Sequence, residues 1–186
     1  MNLPNKLTIL RTLLIPFFLV VLLWQSVPYG NWIALFIFII ASLTDMLDGK
    51  IARKYNLVTN FGKFMDPLAD KLLVTSALIA FIELERISAW IVIIIIAREF
   101  IISGFRTVAA DNGIVIAAGI WGKMKTAEQM VMICILIADF GSLFTEYASA
   151  IHMFENTLIY IALILTIVSM IDYLAHNKGV LSESNK

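Results

Sequence analysis

Four aspartates lie in one stretch of an otherwise strongly apolar chain, DMLDGKIARKYNLVTNFGKFMDPLAD, residues 45–70. Asp45 and Asp48 are three residues apart, and Asp66 and Asp70 are four apart, so in helices each pair would share one face about one turn apart. Like charges this close should raise one another's pKa or be neutralised by another group, and hard divalent cations prefer carboxylate oxygens. Four carboxylates match two divalent cations in charge, an arrangement that holds and activates phosphoryl groups for displacement.

The residues between the two aspartate pairs indicate that the phosphoryl group belongs to a nucleotide. Gly49 follows Asp48 directly, Ala52 lies one turn further on, and Gly62 precedes the second pair. Such small residues let a ligand approach the backbone closely. Arg53 would be the fixed cation for a phosphate. Each small residue alone would more often serve helix packing, but solvated loop charges have no reason to keep helical spacing on two successive helices.

Membrane helices are the elements that must carry these residues. The chain has 186 residues, of which 60% are hydrophobic and 15% charged, and its mean hydropathy of +0.89 lies far outside the range of soluble domains. Apolar runs of about twenty residues recur, each long enough to cross a hydrocarbon core of roughly 30 Å. We predict an all-α integral membrane protein with one domain over residues 1–186 and six transmembrane helices, at about residues 7–26, 31–53, 67–84, 88–110, 122–141 and 149–174.

Asp66 followed by Pro67 is typical of a helix N-cap and first turn, so the third span is expected to begin there. An even number of spans places both termini on one side of the membrane. Of the fourteen Lys and Arg residues, only Arg86 falls on the other side. This positive-inside bias predicts that both termini and the aspartates are cytoplasmic. The net charge of zero gives no indication of a nucleic-acid partner, and none is expected.

The pattern DxxDGxxAR, eight further residues, then GxxxDxxxD over residues 45–70 resembles the complete signature of the CDP-alcohol phosphotransferases. The resemblance implies that an alcohol displaces CMP from a CDP-linked lipid, with two divalent cations, Mg²⁺ or Mn²⁺, held by the aspartates. It implies that Asp45, Asp48 and Asp66 are metal ligands. Asp70 would be a ligand that also serves as general base toward the acceptor hydroxyl, so Asp66 and Asp70 are the candidate catalytic residues.

The same resemblance implies a CDP site that includes the N-terminal segment NLPNKLTILR. Asn5 and Thr8 match an Asn-x-x-Thr element with which the family begins, and Arg11 follows a turn later. An equally simple interpretation is that Pro4 starts an interfacial helix whose Lys6 and Arg11 meet anionic headgroups. The implied CDP-site residues are Asn5, Thr8, Asp48, Gly49, Ala52, Arg53 and Gly62. Family members are commonly homodimers, so a homodimer in contact with membrane lipid is expected.

The acceptor alcohol is predicted from basic residues of the fourth and fifth spans. The segment AREFIISGFR places Arg98 about two turns inside the fourth helix and Arg106 near its end, about 80° apart around the helix, so both can border one pocket. The segment WGKMKTAEQ brings Lys123 and Lys125 to the start of the fifth helix, although Lys123 could instead be a positive-inside anchor. Glu99 could pair with another helix or steady an arginine. This acceptor phosphate site suits a phosphorylated alcohol.

The strings REFIISGFR and GKMKTAEQ also resemble those of the bacterial phosphatidylglycerophosphate synthase branch of the family. That resemblance implies CDP-diacylglycerol as donor, glycerol 3-phosphate as acceptor, and a place in the bacterial cytoplasmic membrane. The alternatives are the same family with inositol phosphate or serine as acceptor, a silent scaffold, or an ion or proton transporter, because intramembrane carboxylates often mark ion pathways. Transport sites tend to lie near the bilayer midplane, whereas these aspartates are predicted at two cytoplasmic helix ends.

Overall fold

The computed structural model describes residues 3–24, 26–54, 60–111, 113–114, 116–117 and 119–177. Within its helices it describes the backbone alone at residues 3–6, 45–54, 60–64, 66–67, 70 and 111. All regular structure in the described ranges is helical, which confirms the predicted all-α class for this part of the chain. The helices are α1 Leu3–Leu23, α2 Gly30–Lys54, α3 Asn60–Glu83, α4 Ala89–Asp111, α5 Ile120–Ala138, α6 Phe140–Leu143, a 3₁₀ turn Thr145–Tyr147, and α7 Ala148–His176.

The apolar character of these helices varies along the chain. Over the described residues, two helical segments are long and apolar enough to cross a membrane, Ile120–Leu143 and Thr145–His176. Leu7–Leu23 and Gly30–Thr44 are shorter apolar helices. The helices α3 and α4 also contain charged residues, and these include candidate functional residues. Each of the six predicted spans coincides with one long helix, whereas the number that cross the membrane remains a prediction.

The start of α3 corrects the sequence prediction. Asp66 is not the N-cap, because α3 begins at Asn60 and the helical backbone runs through Asp66 and Pro67. The rule that places proline in the first helical turn reflects its missing N–H and its fixed φ, and it is a preference that an individual helix can depart from. Packing of a helix can offset the cost of an interior proline, about 3 kcal/mol, and α1 likewise continues through Pro16. As a consequence, Gly62 joins both aspartates on one helix.

The described chain divides into two compact units. The first consists of Met1–Ile87 and Ile133–Phe140, and the second of Ser88–Met132 and Gly141–Lys186. In the first unit, α1 packs against both α2 and α3, which also contact each other. The buried face of α1 repeats at helical spacing of three and four residues and consists of Thr8, Arg11, Ile15, Phe18 and Leu22. The Phe18 ring lies 5.8 Å from that of Phe38 on α2.

Three helix connections meet at one end of this first unit. Arg86, which follows α3, donates from Nη1 to Oδ1 of Asp139 at 2.8 Å. Asn31, in the first turn of α2, donates from Nδ2 to the other oxygen of Asp139 at 3.4 Å. The beginning of α2 and the ends of α3 and α5 therefore lie together, as expected of helices that alternate in direction.

In the second unit, α4 packs against α7. The Phe105 ring of α4 meets the Tyr173 ring of α7 edge to face, with centroids 5.6 Å apart. After α4 the chain turns at Gly113, whose φ of 74° is left-handed, and the Ile114 amide donates to the Ala109 carbonyl at 2.8 Å. Glycine suits this position because it has no Cβ to clash there. The turn ends α4 one turn after the candidate residue Arg106.

Candidate active site

The helical backbone carries the four aspartates at the predicted spacing. Asp45 and Asp48 lie in the last turns of α2, and Asp66 and Asp70 lie in the first turns of α3. The five residues 55–59 join the two helices, so the end of α2 and the start of α3 can be at most about 22 Å apart. Each pair of aspartates thus occupies one face of its own helix, on two helices that contact each other.

The side chains of these four aspartates lie outside the part of the structure that is described, and so do those of Asn5 and Arg53. The same holds for the surroundings of Gly49, Ala52 and Gly62. The predicted ligand set therefore stays a prediction. Among the side chains that the structure does describe, no group of three or more His, Cys, Asp or Glu residues is arranged to hold a metal ion. On an ideal helix the two aspartates of α2 share an arc of about 100° with Gly49 and Ala52, and Gly62 shares an arc of about 80° with the aspartates of α3.

Two polar residues of α1 are fully buried. Arg11 is fully buried, and its Nε donates to the carbonyl oxygen of Ala41 at 3.1 Å. Ala41 lies one turn before Asp45, so this bond joins α1 to α2 close to the first aspartate. Thr8, one turn before Arg11, is also fully buried. The interpretation in which Arg11 meets lipid headgroups is therefore wrong, because a headgroup contact needs an accessible guanidinium.

A cluster of opposite charges joins α4 to α5. Arg98 donates from Nη1 to Oε1 of Glu99 at 3.2 Å, and the Lys125 ammonium donates to the same oxygen. Arg98 is 7% exposed and Lys125 1% exposed. Two nearly buried cations thus share one carboxylate, and the cluster keeps a positive charge that is shielded from water. Glu99 performs both of the roles considered from sequence, since it contacts an arginine and pairs with another helix.

The Arg98 guanidinium also lies against the backbone of α5. A Cβ added at Gly122 would meet Nη2 of Arg98 at 3.6 Å, so Gly122 allows the guanidinium to lie close to the helix. The Nε of Arg98 is buried, and none of the described residues accepts a hydrogen bond from it. Arg98 therefore retains a donor that an anionic ligand could use.

The other two predicted acceptor residues have different surroundings. Arg106 is exposed at its tip and lies over the Tyr173 ring, with the guanidinium carbon 5.4 Å from the ring centroid. This is a cation–π contact. Lys123 is exposed. The described contacts bring Arg98 and Lys125 together and do not include Arg106 or Lys123 in the same cluster.

Comparison with known proteins supports the same conclusion as the signature. The family model for CDP-alcohol phosphatidyltransferases matches residues 1–168. The chain belongs to this family. It is 43% identical over 195 residues to the Bacillus subtilis (strain 168) protein named "CDP-diacylglycerol--glycerol-3-phosphate 3-phosphatidyltransferase", with 99% of each chain covered. It is 42% identical over 188 residues to the Haemophilus influenzae protein of that name, with 98% of this chain and 97% of the relative covered.

A third relative of the same name, from Rickettsia bellii, is 37% identical over 172 residues, with 92% of this chain and 93% of the relative covered. The predicted resemblance to the CDP-alcohol phosphotransferase family, and to its branch that is named for glycerol 3-phosphate, is confirmed. Members of this family are generally dependent on divalent metals, and the aspartates on α2 and α3 are candidates to hold them.

Sequence reasoning missed two polar residues of α5 in this family member. Glu128 and Gln129 lie three and four residues after Lys125, hence on the same side of the helix. Both carboxylate oxygens of Glu128 and the amide nitrogen of Gln129 are buried, and no described residue hydrogen-bonds to them. The signal was present in GKMKTAEQ, where a glutamate and a glutamine follow a lysine at helical spacing, but burial could not be read from it.

Proposed function

We propose that this protein transfers the phosphatidyl group of CDP-diacylglycerol to glycerol 3-phosphate, releasing CMP and forming phosphatidylglycerophosphate for phosphatidylglycerol and cardiolipin biosynthesis. The observation that carries this proposal is the similarity, over nearly the whole length, to relatives that bear the name of this activity. The buried cations Arg98 and Lys125 support a phosphorylated acceptor, because choline, ethanolamine or a neutral lipid has no anion for them to bind.

Two divalent cations, Mg²⁺ or Mn²⁺, are proposed at the aspartates of α2 and α3. Carboxylates at one-turn spacing on two contacting helices fit hard cations, which take oxygen ligands. Asp45, Asp48, Asp66 and Asp70 would hold them. When bound, such cations offset the negative charge of the pyrophosphate and of the departing CMP.

Asp70 is proposed as the general base. The acceptor hydroxyl oxygen attacks the phosphorus that bears diacylglycerol, the bond from that phosphorus to the bridging pyrophosphate oxygen breaks, and CMP leaves with the bond electrons. Asp70 takes the hydroxyl proton, which makes the oxygen a better nucleophile. Asp66, one turn before it, is the second catalytic carboxylate and acts as a ligand.

The CDP site is proposed around the first unit's α1, α2 and α3. Gly49, Ala52 and Gly62 permit close approach of the nucleotide to the backbone, and the Arg53 guanidinium is the partner for a phosphate. The buried position of Thr8 beside Arg11, which is bonded to α2, supports a place for Thr8 at this site. The proposed CDP residues are Asn5, Thr8, Asp48, Gly49, Ala52, Arg53 and Gly62.

The acceptor phosphate is proposed to bind the basic residues of α4 and α5, namely Arg98, Arg106, Lys123 and Lys125. Glu99 is their positioning residue, because it orients Arg98 and Lys125 through one oxygen while leaving an excess of positive charge. An anion that enters this cluster meets donors already held in place, so less conformational entropy is lost on binding.

A multi-pass arrangement in the bacterial cytoplasmic membrane is proposed, with six spans and with both termini and the active site on the cytoplasmic side. The distribution of Lys and Arg supports it. The meeting of Asn31, Arg86 and Asp139 supports it too, since these residues lie at the start of α2 and just after α3 and α5, on the predicted opposite side. Membrane lipid and a second copy of the chain, as a homodimer, are the proposed partners.

The test is CMP release by the purified protein in detergent with CDP-diacylglycerol, Mg²⁺ or Mn²⁺, and one acceptor at a time. Glycerol 3-phosphate is expected to give CMP, and chelation of the metal to stop it. If inositol phosphate or serine supported release and glycerol 3-phosphate did not, the acceptor assignment would be wrong while the family chemistry stood. If no acceptor gave CMP with either cation, a transporter or a silent scaffold would be favoured.

A further inference from the structure

Glu128 and Gln129 form a polar pair on α5 that the chemistry above does not use. Both oxygens of the Glu128 carboxylate are buried without a hydrogen bond from any described residue, and so is the Gln129 amide nitrogen. Gln129 as a whole is only 3% exposed. Buried polar groups are nearly always hydrogen-bonded, because leaving them without partners is unfavourable. A pair of such groups on one helix turn therefore requires an explanation.

The surroundings of this pair are those of the acceptor phosphate cluster. Lys125, one turn earlier, interacts electrostatically with Glu128 but gives its hydrogen bond to Glu99. Arg98, which shares Glu99 with Lys125, also has a buried Nε that no described residue accepts from. The second unit thus holds cationic donors, an amide donor and a carboxylate acceptor within a short stretch of α4 and α5.

The chemistry of these groups restricts the ligand. When ionised, the Glu128 carboxylate only accepts hydrogen bonds, and in that state it repels a phosphate oxygen that Arg98 and Lys125 attract. A hydroxyl group donates as well as accepts, so it can give a hydrogen bond to an oxygen of the Glu128 carboxylate. The complementary ligand carries a phosphate and, a few bonds away, a free hydroxyl.

We propose that Glu128 accepts a hydrogen bond from the C2 hydroxyl of glycerol 3-phosphate and thereby determines acceptor specificity. This inference rests on the proposed function. The C2 hydroxyl is the group of glycerol 3-phosphate that is neither phosphorylated nor reacting. An acceptor without it leaves the carboxylate without a hydrogen bond, and a site built around a substrate hydroxyl discriminates strongly against an analogue that lacks it.

The experiment compares glycerol 3-phosphate with 3-hydroxypropyl phosphate, which lacks only the C2 hydroxyl. Wild-type protein is expected to have a kcat/KM at least about tenfold higher for glycerol 3-phosphate. In Glu128→Ala this value should fall about tenfold or more, while the value for the analogue changes little, so the preference largely disappears. Glu128→Gln, which keeps one acceptor oxygen, should fall between the two. Glu146→Gln, which alters an exposed carboxylate, is the control and should keep the wild-type preference.

An equal loss of kcat/KM for both acceptors in Glu128→Ala would overturn the inference, because it would mean that Glu128 does not contact the hydroxyl. A wild-type protein that used both acceptors equally would also overturn it, and would leave the proposed function intact. Failure of wild-type protein to release CMP from glycerol 3-phosphate would instead refute the proposed function.

A second measurement needs no variant. Glycerol 3-phosphate should raise the Tm of the wild-type protein more than the same concentration of 3-hydroxypropyl phosphate, since tighter binding to the folded state gives the larger shift. Equal shifts would contradict the inference. In the absence of any acceptor, Glu128→Gln should unfold at the wild-type temperature or above it, because no described residue hydrogen-bonds to the carboxylate. A lower Tm would indicate that Glu128 stabilises the fold and would argue against a ligand role.

Discussion

The aspartate segment of α2 and α3 and the charged cluster of α4 and α5 are organised in different ways. The aspartates owe their grouping to short sequence intervals on helices, so their spacing alone indicated a metal site. The cluster depends on a contact between Glu99 and Lys125, which lie 26 positions apart in the chain. Spacing within one helix can therefore be read from the sequence, whereas a site assembled from two helices depends on how those helices meet.

The largest expected effect falls on the aspartate segment. Asp70→Asn should reduce CMP release by about a hundredfold to ten-thousandfold, the contribution typical of a general base, while CDP-diacylglycerol binding is largely retained. Turnover and nucleotide-lipid binding are measured on the same purified sample. Glu83→Gln, an exposed carboxylate at the other end of α3, should leave both unchanged. Undiminished turnover in Asp70→Asn would exclude Asp70 as the base.

A change in the charged cluster should affect one substrate only. Lys125→Met removes a buried cation and is expected to raise the KM for glycerol 3-phosphate about tenfold or more, equivalent to losing a charge-assisted hydrogen bond of about 1.5–3 kcal/mol. The KM for CDP-diacylglycerol should change little. Steady-state kinetics with each substrate varied in turn provide the measurement.

Lys123→Met is the matched control for this variant, since Lys123 lies two residues away and is exposed. It should alter the KM for glycerol 3-phosphate less than about twofold, because exposed charges contribute little. Equal effects of the two variants would show that burial does not distinguish the lysines and would weaken the assignment of the acceptor cluster.

Arg106 provides a smaller and more specific test. Arg106→Ala should raise the KM for glycerol 3-phosphate several-fold and the KM for CDP-diacylglycerol much less. Tyr173→Phe keeps the aromatic face under the guanidinium and should behave as wild type. Tyr173→Leu removes the cation–π contact, which contributes about 0.5–1 kcal/mol at an exposed site. An equal rise in both KM values in Arg106→Ala would show that Arg106 does not belong to the acceptor pocket.

The smallest expected effect concerns stability at the end of the first unit, away from both regions. Glu85 has a left-handed φ of 54°, and it ends α3 in a turn in which the Arg86 amide donates to the Phe81 carbonyl at 2.8 Å. Glu85→Gly should raise the free energy of unfolding by up to about 1 kcal/mol, because glycine adopts this conformation without a Cβ clash. Glu85→Ala should give no such gain. Thermal unfolding checks the pair, and CMP release should be unchanged in both.

Helix positions were predicted well because long apolar stretches and helical spacing are local properties. The start of α3 was predicted wrongly. Asp66 and Pro67 have the residue types of a helix start, but six residues of helix precede them. Of the two interpretations of Arg11, only the structure excluded contact with lipid headgroups, because a basic residue near the chain terminus suggests the membrane surface and only packing of α1 on α2 buries it.

By itself the sequence determined the helical class, the family, and the spacing of the four aspartates, because each of these depends on residues close together in the chain. The tertiary structure decided that Glu99 holds Arg98 and Lys125 at one oxygen and that Arg106 lies over Tyr173. It also decided that the Glu128 carboxylate oxygens and the Gln129 amide nitrogen are buried with no hydrogen bond to a described residue. The physical reason is that burial and pairing across helices depend on which faces pack together, and helical periodicity fixes a residue's face but not the neighbour it meets.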